Sequence, residues 1–141
     1  MLNLDYAAGF VDGEGCITII KGTKIINGIK RYEYRPCVVV VNSNEQVINE
    51  FLNFGGKVYK KKRYSNYKQS WHWMIHDKKA VDFCKLILNK LIVKKSQAQI
   101  LTELQKWKIR CGKRSQDTLN NQIKFYELMK QTNNWHSRYK M

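Results

Sequence analysis

Acidic residues are scarce in this sequence: Asp and Glu number 11 against 26 Lys and Arg, a formal net charge of +15 over 141 residues. An imbalance of that size argues against a neutral or acidic-surface role and for a polyanionic partner. No uninterrupted apolar run approaches the length of a membrane-spanning helix, and no signal peptide precedes the first motif. A membrane partner is therefore not expected, and the chain reads as soluble and intracellular, whether of an organelle (mitochondrion or chloroplast) or of a prokaryotic cytoplasm. No C-x-x-C pair is present: Cys16, Cys37, Cys84 and Cys111 lie far apart, and His72, His76 and His136 do not cluster with them. No zinc site is expected, and the thiols read as buried and reduced. Hydrophobic residues, at 43%, are ample for a folded core, and the length suits one domain.

Against this basic background one stretch concentrates acid: Ala7-Ala8-Gly9-Phe10-Val11-Asp12-Gly13-Glu14-Gly15. Asn3 can cap a helix there, Asp5 suits its first turn, and Leu4, Ala7, Ala8 and Val11 share a face at helical spacing. The small Ala8 and Gly9 admit close approach of another backbone, and Gly13 and Gly15 stop the helix. Asp12 and Glu14 then crowd the negative end of the helix dipole, where each acid should cost up to about 1 kcal/mol. Two readings are open. Either Asp12 caps a neighbouring amide and Glu14 faces solvent in an ordinary turn, or the acids and the carbonyls of the helix end supply the oxygen ligands of a hard cation such as Mg²⁺. The stretch has no second copy in the chain.

Beyond it the periodicity changes to alternation. Residues 16–21 read as a β-branched strand, 22–30 as a turn around Asn27-Gly28, and 32–41 as a second, antiparallel strand whose proline, Pro36, belongs at a sheet edge or bulge. Asn44 can cap a helix carrying Val47, Ile48, Phe51 and Leu52, ended by Gly55-Gly56. Residues 57–64 and 69–76 read as another hairpin across Ser65-Asn66, and Asp77 as the cap of a helix with Ala80, Cys84, Ile87 and Leu91. The order is αββαββα. Ser96 and Gln99 form a capping box for a helix with Ile100, Leu104, Trp107 and Cys111, closed by Gly112; Ser115 starts a last helix with Leu119, Ile123, Tyr126 and Met129. The expected organisation is a single α+β domain over 1–141, with a core over 1–95, appended C-terminal helices over 96–131 and a frayed tail over 132–141.

Four antiparallel strands with helices on one face leave the other open, and a twisted sheet makes a saddle that fits a major groove. Lys57, Tyr59, Lys61 and Arg63 share one strand parity, and Lys21, Lys24, Lys30, Arg31 and Lys68 lie toward the hairpin tips. Glu33 and Arg35 share the parity of Cys37, opposite to Tyr34, Val38 and Val40, which suits them to base edges, Arg to guanine and Glu to cytosine. With Trp71, Trp73 and Ile75 in the core, Ser70 and His72 face DNA; a slip of one residue would reverse this. The run Lys60-Lys61-Lys62-Arg63 also reads as a solvated edge.

Aligned without gaps, residues 7–15 resemble the nine-residue signature of the LAGLIDADG homing endonucleases. Ala8, Gly9, Asp12 and Gly15 are identical; Phe10, Val11 and Glu14 are conservative replacements, Gly13 is small-for-small, and Ala7 departs from the leading Leu. The resemblance implies a homodimer whose two signature helices pack at a symmetry axis, with Ala8, Gly9 and Asp12 at the contact. It implies Mg²⁺ held by Glu14 and the Gly13 carbonyl, with Mn²⁺ or Ca²⁺ able to substitute in binding. It also implies catalytic roles for Glu14, for Asn42 as a polar residue that holds water at the metal, and for Lys94, in a Lys-x-x-Gln-Ala context, as a stabiliser of the transition-state phosphate. From spacing alone Lys94 is equally one more surface lysine beside Lys95. The implied activity is metal-dependent cleavage of both strands of a long, nearly palindromic double-stranded DNA site. The alternative is a non-cleaving nucleic-acid binder of the same fold, such as a group I intron RNA maturase, with intron RNA as a partner.

Overall fold

Asn3 starts the first helix as its position suggests: its Oδ1 accepts from the backbone N–H of Asp5 at 2.7 Å and of Tyr6 at 3.3 Å, satisfying two donors that a helix start leaves orphaned. In the computed structural model, which describes residues 2–62, 68–108 and 113–138, with side chains to 133, this helix (α1) runs Leu4–Glu14. It passes through Gly13 and ends at Gly15, whose N–H donates to the Val11 carbonyl.

Strands β1 (Gly15–Ile26) and β2 (Ile29–Asn42) pair continuously from Gly15–Val40 to Ile26–Ile29. Their turn is only Asn27 and Gly28, at φ of 51° and 78°, the left-handed pair of a tight hairpin. Both strands outrun the alternation in the sequence, because beyond residue 21 the arm extends past the core and needs no buried face. Pro36 lies one residue past the last β2–β4 pair, Cys37–His76, so β2 is an edge strand there, as proline requires.

Helix α2 (Glu45–Glu50) is capped by Asn44, whose Oδ1 accepts from the Val47 N–H at 3.0 Å. A short 3-10 turn, Phe51–Phe54, leads to Gly55 and Gly56 at φ of 97° and 76°. Strands β3 (Lys57–Lys60) and β4 (Trp71–His76) are shorter than the alternation suggests, although the Lys61 N–H still reaches the Ser70 carbonyl at 2.9 Å. The expected turn at Ser65-Asn66 lies outside the described residues. Helices α3 (Asp77–Ile87), α4 (Lys95–Gln105) and α5 (Gln116–Arg138) follow. The sheet order is β1-β2-β4-β3, so the chain has the αββαββα order with two further helices.

Three local expectations change. Asp77 is not a cap; it is the first residue of α3, and its carboxylate pairs with Arg35. Ser96 is not a cap either, since α4 begins at Lys95 and Lys94, at the cap position, makes no side-chain cap bond. Helix α5 is capped by Ser115, whose Oγ accepts from the Thr118 N–H at 3.1 Å, but it runs past residue 131 to Arg138. Asn133 holds it there by donating to the Ile17 carbonyl at 3.2 Å. The buried line of α5 is Gln122 and Met129 with Phe125 and Tyr126, and Ile123 points outward at 37% exposure.

One sheet face carries the core: Ile17, Ile19, Val38, Val40, Trp73 and Ile75 pack on Ala7, Ala8 and Val11 of α1 and on apolar residues of α2 to α5. At its centre the fully buried Trp73 ring lies 5.0 Å from Phe51 and 5.1 Å from Phe83, and burying each such ring is worth about 1.5–3 kcal/mol. The Trp73 Nε1–H donates to the Gly55 carbonyl at 2.8 Å. Ring and hydrogen bond together place Trp73 and Ile75 inside and His72 outside, the register that the sequence favours.

A Cβ on Gly56 would stand 2.5 Å from the Met74 carbonyl oxygen and 2.8 Å from the Trp73 Nε1. Gly56→Ala should therefore lower unfolding stability by about 1–3 kcal/mol, from strain at positive φ plus that clash. Urea titration of the purified variant checks this, and an unchanged midpoint would contradict the packing described.

Candidate functional site

Asp12 resolves the odd placement of acid at the negative end of a helix. Its carboxylate accepts from the backbone N–H groups of Ile92 at 2.7 Å, Val93 at 3.2 Å and Lys94 at 3.0 Å, the turn that leads directly into α4. These donors belong to the turn that precedes α4, so the acid ties that turn to the end of α1, near the positive end of α4 where anions are favoured, and does not itself cap the first-turn N–H groups of the helix. Lys94 answers in the other direction: its Nζ donates to the Asp12 carbonyl at 2.5 Å, satisfying an orphan acceptor at the end of α1. Seven residues earlier on α1, Asp5 pairs with Lys90 at 2.5 Å.

This clamp places Lys94 at the end of α1, two residues from Glu14, which is exposed. Gly13 is exposed too, and its carbonyl lies in the last turn, where no intrahelical donor follows. A carboxylate and a helix-end carbonyl are hard oxygen donors, so the residues present suit Mg²⁺ or Ca²⁺. They are too few to enclose it, and among the described residues no three His, Cys, Asp or Glu side chains gather as a cation site. Asn42 stands two residues past Val40, the strand partner of Gly15. Its Oδ1 accepts from the Asn44 N–H at 2.8 Å, which leaves one Oδ1 lone pair and the Nδ2 donors for a water. Gln97 and Ala98, the other residues of the Lys94 context, are buried and structural.

The thiols divide. Cys37 and Cys84 are buried, and desolvation pushes them up to about 11 and about 12, so both are inert at neutral pH. Cys16 is exposed, contrary to expectation, because it opens β1 beside Lys94 on the face without helices; desolvation raises its pKa and the Lys94 ammonium opposes the shift. Cys111 lies outside the described residues.

Register places Lys24, Arg31, Glu33 and Arg35 together on that open face, through the pairs Lys24–Arg31, Gly22–Glu33 and Ile20–Arg35. Lys57, Tyr59 and His72 join them at the other end, with the Tyr59 and His72 rings 5.4 Å apart and edge to face. Lys61 and Ser70 continue the same parity, and Lys68 is exposed beyond them. Lys30 and Lys21 do not belong to this group: they stand on the helix side of the hairpin, with their ammonium groups 5.6 and 4.4 Å from the Tyr32 ring. Arg63 lies outside the described residues. Glu33 is 3.9 Å from Lys24, and Arg35 is held by Asp77, a residue whose part at this site the sequence reading missed.

The signature helix divides by its period. Ala7, Ala8 and Val11 are buried in the chain's own core, so Ala8 is not at an outer contact; the reading that joined it to Gly9 overlooked that adjacent helical residues point about 100° apart. Asp12 spends its carboxylate inside the chain. Gly9 and Gly13 are exposed, with no atom within 4 Å of a Cβ built on either. Tyr6 on the same helix is exposed by 53%, and Ile92 and Val93, in the turn that Asp12 holds, by 86% and 52%.

An antiparallel sheet with one helix-covered and one basic face, and an acid at the end of the first helix, defines the class as that of the homing-endonuclease fold. The solved structures it matches include the homing endonuclease I-TnaI, with a TM-score of 0.68 and 22% identity over 94% of this chain and 97% of that one. The archaeal intron-encoded I-Vdi141I, complexed with DNA, matches with a TM-score of 0.71 and 17% identity over 92% and 82%. I-CvuI, in complex with its target in the presence of Ca, matches at 0.70 and 18% over 92% and 80%. Against I-LtrWI, bound to target DNA, 91% of this chain covers 44% of that one, with a TM-score of 0.70 and 17% identity. No curated protein matches the sequence. The family model described as LAGLIDADG endonuclease matches residues 7–102, from the signature helix into α4. The chain belongs to that family.

Removing the Asp12 carboxylate leaves three N–H groups in the turn before α4 without their acceptor. Asp12→Ala should cost about 2 kcal/mol of stability, the scale of backbone donors left unsatisfied, and Asp12→Asn less. Thermal unfolding of the two variants checks the order; equal stability of Asp12→Ala and the parent would remove the clamp from the account.

Proposed function

We propose that the protein is a site-specific DNA endonuclease that acts as a homodimer and uses a divalent cation, Mg²⁺ by preference, to hydrolyse both strands of a long, nearly palindromic site. The observation that carries this reading is the position of Glu14: an exposed carboxylate at a helix end, in a chain with a basic sheet face and with Tyr6, Gly9, Ile92 and Val93 uncovered. Two such carboxylates brought together by a second copy repel each other unless cations lie between them. The 44% coverage of I-LtrWI supports the pairing, since relatives about twice as long can hold two such units in one chain.

Glu14 and the Gly13 carbonyl would hold the cation, which when bound supplies activation of water and neutralises charge on the leaving oxygen. Asn42 orients the attacking water through its side-chain amide, which can both donate and accept. Lys94, fixed at the Asp12 carbonyl, offers positive charge to the non-bridging phosphate oxygens as charge accumulates there. Lys24, Arg31, Arg35, Lys57, Lys61 and Lys68 supply the phosphate and base contacts of the open face. A reader of DNA that did not cut it would have no use for an acid beside phosphates.

Glu14→Gln keeps the shape of the side chain and removes its charge. With sites selected from a random duplex library, this variant should lose Mg²⁺-dependent cleavage while its DNA affinity stays within a few-fold of the parent. A parent that leaves every selected duplex intact is a binder, and the nuclease reading is then wrong.

Gly9→Leu tests the pairing without disturbing the single chain, because the new side chain meets open space in the monomer. It should sediment as a folded monomer with unaltered circular dichroism and lose cleavage of both strands. A monomeric parent that cleaves DNA would overturn the homodimer. A bulky residue at Ala8 would not be informative, since it unpacks the chain's own core.

A further inference from the structure

Arg35 and Asp77 are 42 residues apart in sequence, yet they form a bidentate ion pair at the free edge of β2, in a recess that Gln105 at the end of α4 and Lys108 beyond it also line. The Arg35 Nε donates to Asp77 Oδ1 at 3.0 Å and its Nη2 to Oδ2 at 2.8 Å. This side-on arrangement uses one edge of the guanidinium and leaves the Nη1 protons and one Nη2 proton at the tip of the fork. Guanine O6 and N7 in a major groove accept such a tip.

Asp77 reaches this position through an uncommon backbone. It has φ of 61°, one of two non-glycine residues with positive φ among those described. The other, Asn27, has a hairpin turn to form; Asp77 has none. As the first residue of α3 it sits where β4 ends, one residue past the Cys37–His76 pair, and the left-handed conformation accompanies a carboxylate turned back to β2. Outliers of this kind persist where surrounding contacts hold them, and they gather at functional sites.

The pair is also out of place as a simple stabiliser. The Arg35 and Asp77 side chains are 45% and 34% exposed, and exposed ion pairs contribute little to stability. A long arginine in solvent samples many rotamers, and ordering it on binding opposes affinity. A carboxylate that holds the fork beforehand removes most of that opposition. The Arg35 hydrogen bond keeps the Asp77 carboxyl below its usual range, and Lys108, 3.8 Å away, acts in the same direction.

We propose that Asp77 is a positioning residue for DNA sequence recognition: it holds Arg35 so that the tip of its fork reads one guanine in each half of the site. This rests on the DNA-binding reading above. It differs from the roles of Lys57 or Lys61, which as point charges near phosphates would act on all sequences alike.

The test is selection of bound duplexes from a random library by the full-length homodimer in buffer without divalent cation, followed by affinity measurements on single-base variants of the selected site. The parent should specify guanine at one base pair per half-site. Arg35→Lys, which keeps the charge and loses the fork, should erase that preference, a change of roughly 5- to 150-fold. Asp77→Asn should weaken the same preference by about 2- to 12-fold, the cost of ordering one side chain, leave the other positions unchanged, and have no effect when Arg35 is already Lys.

A merely structural brace predicts something else: Asp77→Asn would lower the melting midpoint and weaken binding to every sequence equally. That result, or a guanine preference that survives Arg35→Lys, overturns the proposal alone. A parent that selects no sequence at all overturns the DNA-binding reading and this inference with it.

Discussion

The clamp between Asp12 and the start of α4 is the interaction on which the site depends. An acid in the last turn of a helix is unfavourable in isolation. It becomes favourable when the start of another helix is brought against it, because opposite dipole ends meet and three N–H groups find an acceptor. Lys94 completes the exchange by donating to the Asp12 carbonyl. This one contact joins the beginning of the chain to the segment after α3. It stations an ammonium group two residues from Glu14. It also holds the backbone of Ile92 and Val93 inward, so that their side chains must face out.

The same contact separates two acids that look equivalent in sequence. Asp12 is engaged by backbone and is structural; Glu14, two residues on, is exposed at the point where the helix gives way to β1. A single chain can hold one such carboxylate over its basic face but cannot surround a cation with it. On the proposed reading, the oxygens that Glu14 and Gly13 cannot supply alone would come from a second copy. Net charge of +15 makes approach of two such chains unfavourable by itself. A polyanion or bound cations between the copies would offset that repulsion, which links pairing to substrate binding.

Much of the fold was legible in the sequence because burial imposes periodicity. Val38, Val40, Trp73 and Ile75 alternate because one sheet face meets the helices, and Asn3, Asn44 and Ser115 announce their helices through local bonds to their own chain. What escaped was long-range or unburied. The outer hairpin arm is held by backbone pairing alone, so residues 22–31 carry no pattern of two. The turn that leads into α4 is held by Asp12, some 80 residues away, and nothing near it in the sequence records that. Asp77 carries the local signature of a cap, and only the fold shows that Arg35 competes for its carboxylate. The open-face placement of side chains was legible along the β3 and β4 parity, and less so at Lys30, whose parity assigns it to the helix side.

The signature helix is where a monomer's needs and a dimer's needs can be told apart. Its inner residues, Ala7, Ala8 and Val11, are small because they pack against the chain's own sheet and helices. Its outer residues, Gly9 and Gly13, have no such reason: a Cβ at either would meet nothing within 4 Å. Glycine inside a helix costs about 0.5–1 kcal/mol relative to alanine through lost backbone entropy. Gly9, in the interior of α1 on an open face, therefore lowers the stability of the isolated chain by about 0.5–1 kcal/mol with no return inside it. A surface that accepts that cost in the monomer is explained by something that must come closer than a methyl group allows, and the backbone of an identical helix across a two-fold axis meets that requirement.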